Sequence, residues 1–238
     1  MSPMSTKQHQ AIIIKVIDWS AKDRIVTLLT ADCGKLRAIN YGAKSRSNRH
    51  NGSLQLFNTV EIELDYMRQL PAIKQSDCIV SRRALRDEFD KLQYSAFVVE
   101  LIDALYHEHD NDAELFKILS TCLSLLTNRN ARISALIAAI HLIGHAGYKP
   151  YLDICSRCGK KIVDHLHFDF SHGGSLCHAC SPAQLAAQEI NAAVVLLAQL
   201  QTLSLDLIQD FSVNSSNLIV AEKIFYPYIT HHINHKFK

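Results

Sequence analysis

The hydrophobic period of this chain changes once, near residue 84, and that change limits the folds open to it. Before it, short β-branched runs recur: Gln10–Val16, Arg24–Thr30 and Lys35–Tyr41. Leu56–Tyr66 alternates, with Val60, Ile62, Leu64 and Tyr66 facing one way and Thr59, Glu61, Glu63 and Asp65 the other. A turn near Gln69–Pro71 then allows a fifth strand at Ala72–Val80. Five short strands within roughly 75 residues fit a small barrel or sandwich, with an OB-fold the natural candidate.

After residue 84 the apolar residues recur at helical spacing. Phe89–Tyr106, Asp112–Leu126 and the almost wholly apolar Ile133–Ala146 read as helices, the last as a central buried one. Gly147 and Pro150 supply its stop. Ser181 and Pro182 read as a cap and first helical position for a helix reaching about Gln201. A last helix spans about Ser216–His232, with a bend expected near Pro227. The expected fold class is therefore α+β: a barrel over residues 1–83, then a helical domain over 84–238.

Seven cysteines are distributed unevenly. Cys33, Cys78 and Cys122 stand alone, whereas Cys155, Cys158, Cys177 and Cys180 form two C-x-x-C pairs 18 residues apart. That spacing belongs to zinc sites. Each pair presents two thiolates to one ion, and four thiolates leave no open coordination position, so the metal is expected to be structural zinc in a module at about 152–182. Two disulfides are the other arrangement, but an odd cysteine count argues for a reducing compartment. His165, His167, His172 and His178 lie nearby and are expected to be surface residues.

Charge is localised. Net charge is +2, yet residues 1–83 carry 13 basic and 7 acidic side chains. Lys35, Arg37, Lys44, Arg46 and Arg49 follow one another with no acid between them. Such a stretch is either a polyanion-binding surface or a solvated loop. Arg82, Arg83 and Arg86 form a second basic cluster. The longest apolar runs fall short of the ~18 residues a membrane span needs, and MSPMSTKQHQ is not a signal peptide. A cytoplasmic protein without membrane contact is expected.

Enzyme motifs fail. The cysteine pairs lack the H-x-E and P-C-x-x-C context of a zinc deaminase. His107, Glu108 and His109 do not make H-E-x-x-H. No P-loop or G-x-S-x-G appears. Asp18, Asp23 and Asp32 flank strands and mark turns.

Taken in order, several segments carry a family resemblance. They are G-K-L-R-A-I-N-Y-G-A-K-S-R-S at Gly34–Ser47, G-S-L-Q-L-F at Gly52–Phe57 and V-E-I-E-L at Val60–Leu64. Y-S-A-F-V-V-E-L at Tyr94–Leu101, L-I-G-H-A-G-Y-K-P at Leu142–Pro150 and the cysteine pairs complete the series. Together they resemble the RecO family of DNA repair and recombination mediators over nearly the whole chain. The resemblance implies an OB-fold followed by a helical domain with a zinc module. It also implies binding of single- and double-stranded DNA and annealing of complementary strands. Loading of RecA onto strands coated by single-strand binding protein (SSB) is implied too, with RecR and in many members RecF. Docking of the SSB C-terminal tail on the helical domain, and a cytoplasmic, nucleoid-associated setting, follow in the same way.

The residues suggest how such a protein would work without bond chemistry. Annealing requires screening of phosphate repulsion while bases stay free to pair. Lys35, Arg37, Lys44, Arg46, Arg49, Arg82 and Arg83 are the candidates for phosphate contact. Tyr41 is the candidate for base stacking, with Trp19 and Phe57 either stacking or packing in the barrel. Tyr66 and Arg68 are weaker candidates. An apolar groove with a basic rim is expected for the SSB tail; Arg132, Lys160 and Lys161 are either part of that rim or, the preferred reading, plain surface charge. The competing reading is a zinc-stabilised adaptor whose basic loop binds RNA or acidic protein.

Overall fold

The computed structural model describes residues 6–45, 48, 50–162, 167–181, 188–205, 213–233 and 237. It falls into two compact units, residues 1–132 and 133–238.

In the first unit, strands β1 (Thr6–Asp18), β2 (Arg24–Thr30), β3 (Gly34–Asn40), β4 (Thr59–Asp65) and β5 (Ala72–Val80) close into a barrel of order β1-β2-β3-β5-β4. Closure removes the exposed sheet edges that an open five-stranded sheet would leave. β1 makes it possible by serving two neighbours. Thr6–Ile12 pairs with β4 and Ala11–Asp18 with β2, and an irregularity between Ile13 and Lys15 bends the strand. The ring is completed by β3 and β5, which meet in parallel at Ile39 and Ala72.

Alternation fills the barrel. Ala11, Ile13, Val26, Leu28, Leu36, Ala38, Val60, Ile62, Leu64 and Ile73 form one buried cluster. Leu54 joins it from the segment before β4, and the neighbouring Phe57 is fully buried at a positive φ of 71°. Phe57 is therefore a core residue and offers no stacking face.

β1 and β2 are buried on both sides. Ile12, Ile14 and Leu29 have no exposed surface or nearly none, because helices α2 (Phe89–Leu105) and α3 (Ala113–Asn128) pack on these strands. A short helix, α1 (Ala84–Asp87), leads in. Asp112 caps α3 by accepting the N–H groups of Glu114 and Leu115.

The second unit holds most of α4 (Ala131–His145), then α5 (Gln188–Thr202) and α6 (Ser215–Ile233). α4 is buried almost all round, as its composition demands. His141 on α4 bonds the Leu200 carbonyl on α5 at 3.2 Å. Pro227 lies inside α6, where it removes one backbone donor. The expected start of α5 at Pro182 lies outside the described residues. Between α4 and α5 sits a two-stranded ribbon, β6 (His167–Asp169) and β7 (Gly174–Leu176). Gly174 is obligatory there: a Cβ would come within 2.2 Å of the Tyr151 carbonyl oxygen. Among the described residues, no helix is long and apolar enough to cross a membrane.

Candidate nucleic-acid interface and metal centre

Three loops of the barrel converge. The β1–β2 turn is held by Ser20, whose hydroxyl donates to Asp23 Oδ2 at 2.8 Å. Asp23 Oδ1 accepts the Gly42 N–H at 2.9 Å, and the Lys44 N–H bonds the Lys22 carbonyl at 3.0 Å. The turn is thus zipped to the segment after β3. Tyr41 in that segment meets the β4–β5 turn, where Arg68 donates to the Tyr41 hydroxyl at 3.0 Å. The Arg68 guanidinium carbon lies 5.8 Å from the Tyr41 ring centre.

This surface exposes aromatic faces beside cations. Trp19 is 64 % exposed and Tyr41 46 %, unusual for large rings that gain so much from burial. Lys22, in the same turn as Trp19, is exposed. Lys44 pairs with Asp18 at 3.0 Å, and Arg24 bonds the other Asp18 carboxylate oxygen at 2.9 Å. Those two bonds, Lys44 first, hold the Asp18 carboxyl below its usual range. The backbone N–H of Gly42, then Ser20, does the same for Asp23. Both aspartates stay ionised and keep the loops in register. Lys22 carries no signal in the sequence beyond its place in a turn, so only the fold brings it to the face.

The other candidate residues are dispersed. Arg37 is half exposed and pairs with Glu108. Arg83 is 80 % exposed at its side chain and pairs with Asp87 one helical turn on. Lys35 and Arg82, expected at the DNA surface, lie inside. Lys35 is 7 % exposed and its ammonium is 3.0 Å from Asp103. Arg82 is 4 % exposed and donates to the Phe57 carbonyl and Thr59 Oγ1, both at 2.8 Å. Burial pulls the Arg82 pKa down. Both cations lie too deep, and are too fully bonded, to present charge to a phosphate. Arg46 and Arg49 lie outside the described residues. Tyr66 is 36 % exposed, less than Trp19 or Tyr41, and its hydroxyl lies 2.8 Å from His9 Nε2.

The four cysteines of the quartet come together in the second unit. Their sulfurs all lie within 4.8 Å of one another, and Cys158 Sγ is 3.7 Å from Cys177 Sγ. A disulfide is about 2.05 Å long, so these are thiols and not a bridge. Each pair sits on a tight turn: the Gly159 N–H bonds the Cys155 carbonyl at 2.8 Å, and the Cys180 N–H bonds the Cys177 carbonyl at 2.9 Å. Burial alone would raise the Cys155 thiol. Backbone N–H groups of Cys177, Cys158 and Arg157 outweigh it and hold the thiol at about 6. Four convergent sulfurs can hold one metal ion. β6 and β7 are anchored beside it by α6, where His232 bonds the Phe170 carbonyl at 3.1 Å and Tyr228 packs edge-on against Phe168.

Comparison with known proteins divides the chain earlier, between residues 82 and 86, so that α2 and α3 fall with the C-terminal family region although they pack in the same compact unit as the barrel. Residues 4–82 match the model of the recombination protein O N-terminal region, and residues 86–238 match that of its C-terminal region. The DNA repair protein RecO of Myxococcus xanthus is 30 % identical over 202 residues, covering 84 % of this chain and 82 % of that protein. The protein of the same name from Pelotomaculum thermopropionicum is 27 % identical over 236 residues, 99 % of this chain and 92 % of the relative. That from Desulforamulus reducens is 27 % identical over 237 residues, 99 % and 93 %.

Proposed function

Since this chain belongs to the RecO family, whose role lies in DNA repair and recombination, we propose that it anneals complementary single strands. With RecR, it also helps load RecA onto SSB-coated DNA. The observation that carries this reading is the convergence of exposed Trp19 and Tyr41 with Lys22, Lys44 and Arg68 on one barrel surface. Rings that stack on bases of any identity, flanked by cations that displace counterions, bind single strands without reading sequence. Arg37 and Arg83 extend the phosphate contacts, and Arg46 and Arg49 add to them from the same basic stretch. The functional division is a DNA-binding barrel at 1–83 and a helical domain at 84–238. The protein acts in the cytoplasm, at the nucleoid, and makes and breaks no covalent bond.

The quartet holds structural zinc. Tetrahedral thiolates at about 2.3 Å from zinc lie about 3.8 Å apart, close to the 3.7 Å between Cys158 and Cys177. Zinc bound there stabilises the module and leaves no position for substrate. The SSB C-terminal tail docks on the second unit. A cleft of about 940 Å³ supports this, with apolar walls from Leu152, Val194 and Ala198. Lys149 and Asp153 both line it, so the apolar side chains of the tail are what this lining would hold. RecR, and RecF with it, engages the protein at the loaded strand.

The test is annealing of two complementary fluorescent oligonucleotides, with and without the cognate SSB, over a salt series. Annealing that persists on SSB-coated strands and falls with salt is expected. Absence of annealing and of DNA binding at low salt would overturn the proposal.

A further inference from the structure

The geometry points to a second metal site in the barrel unit, formed by His9, Asp32 and Cys33, that takes one divalent transition-metal ion. The three residues come from two stretches of chain more than 20 residues apart. His9 lies on β1, and Asp32 and Cys33 lie on the β2–β3 turn. Their ligand atoms all fall within 4.8 Å of one another. His9 Nδ1 is 2.9 and 3.0 Å from the two carboxylate oxygens of Asp32 and 3.8 Å from Cys33 Sγ. A tetrahedral zinc ion with ordinary bond lengths needs N–O and N–S separations of about 3.3 and about 3.6 Å. Shifts of a few tenths of an ångström would accommodate it.

The surroundings are those of a prepared site. The His9 side chain is 1 % exposed and its other nitrogen is occupied: Nε2 lies 2.8 Å from the Tyr66 hydroxyl. The tautomer that donates Nε2–H to Tyr66 leaves the Nδ1 lone pair facing Asp32 and Cys33. A ring nitrogen held this way by an outer partner is the usual state of a metal-bound histidine. The turn is rigid as well. Thr30 Oγ1 accepts the Cys33 N–H at 2.9 Å and donates to the Gly34 carbonyl at 2.9 Å. Gly34, at φ +69°, is pressed against the Asp110 carbonyl with no room for a Cβ. Asp32, 56 % exposed at its side chain, gives an ion its way in.

One thiolate, one imidazole and one carboxylate select a borderline ion such as zinc or cobalt over calcium or magnesium. Three protein ligands leave one position open. None of the three residues belongs to the proposed DNA face or to the quartet, so the inference stands apart from both.

The test uses the full chain, saturated with zinc and then exposed to Co²⁺. Metal per chain is counted by mass spectrometry after passage over a weak chelating resin. The wild type is expected to carry one metal ion more than Cys33→Ser and Asp32→Asn, and to show cobalt–thiolate absorption in excess of that of Cys33→Ser. Both substitutions are near-isosteric, and circular dichroism checks that each variant is folded. Tyr66→Phe, which frees His9 Nε2, is expected to weaken cobalt binding about 10–100-fold. Equal metal content in wild type and both variants, with no difference in cobalt spectrum, would overturn the proposal. The comparison is between chains with an intact quartet, so the result holds whatever the quartet contains.

Discussion

The ammonium of Lys35 lies 3.0 Å from Asp103 Oδ1 and 2.8 Å from the Asp103 carbonyl oxygen, tying β3 to α2. Lys15, on β1, reaches the other carboxylate oxygen at 2.7 Å. One aspartate on a helix thus neutralises two lysines on the barrel wall, one of them buried. Burial would raise its carboxyl, but the bonds from Lys15 and Lys35 prevail and hold it below the usual range.

Asp103→Asn is expected to destabilise the first unit by about 3 kcal/mol. That is the low end of the cost of breaking a buried pair, because the carboxylate is itself 29 % exposed. The pH dependence follows from the depressed pKa. As pH falls, the unfolded chain takes up this proton first. The contribution is complete above the ordinary carboxylate value of about 3.9 and is lost as pH drops through the lower folded value. Denaturant melts at neutral and acid pH check both points: the variant should lose stability near neutrality, and the gap to wild type should narrow in acid.

Arg82 and Arg83 are adjacent in sequence and opposite in exposure. Arg82→Ala strips the Phe57 carbonyl and Thr59 hydroxyl of their donor and leaves a gap in a buried site. A loss of about 2–4 kcal/mol is expected, with DNA affinity unchanged at temperatures where the variant is folded. Arg83→Ala should leave stability within about 0.5 kcal/mol and reduce the salt slope of DNA binding. Thermal melts and a salt titration of each variant separate the two roles.

Much of this was legible in the sequence. The alternation of Val60, Ile62 and Leu64 marks β4 and its inward face, and the spacing of Cys155, Cys158, Cys177 and Cys180 marks the cluster their sulfurs form, because both signals are local. Lys35 and Arg82 were not legible as interior residues. The Lys35 partner is 68 residues away, and no pattern in a basic stretch distinguishes an ammonium that faces water from one beneath a helix. Trp19 was ambiguous for a related reason. A ring after a strand can turn into or out of a barrel, and only the zipping of its turn by Asp23 and Gly42 decides the direction.

Removal of metal from the quartet should act locally. A strong chelator is expected to lower amide protection in residues 151–162 and 167–181, since the convergent sulfurs of the quartet join the two turns that carry them. The barrel belongs, with α1 to α3, to the other compact unit and should keep its protection. Hydrogen exchange read by mass spectrometry, with and without chelator, checks this. Loss of protection across β1–β5 as well would show the two units to be coupled.

Lys44 sits on the proposed strand-binding face with its charge shared by Asp18. Replacement by alanine should remove about one phosphate contact, lowering the slope of log affinity against log salt by about 0.7 for single strands. Lys44→Glu should do more, because it sets a second carboxylate beside Asp18 and repels the backbone. Fluorescence anisotropy of a labelled oligonucleotide over a salt series measures both variants.

Trp19 gives the sharpest measurement, because it is the chain's single tryptophan and is 64 % exposed. Intrinsic fluorescence therefore reports one site. Stacking of a base on the indole should quench it on addition of single-stranded DNA. Duplex DNA, whose bases are already stacked on one another, should quench it far less. Trp19→Ala should cost about 1–3 kcal/mol of single-strand affinity, roughly a 5- to 150-fold loss, while leaving stability almost unchanged because so little of the ring is buried. Trp19→Phe should recover most of that affinity, since what the site needs is a flat apolar face and not the indole N–H. A tryptophan signal indifferent to single strands, with wild-type affinity in Trp19→Ala, would move the stacking role to Tyr41. There Arg68 already holds a ring by its hydroxyl, and Tyr41→Ala would then show the loss.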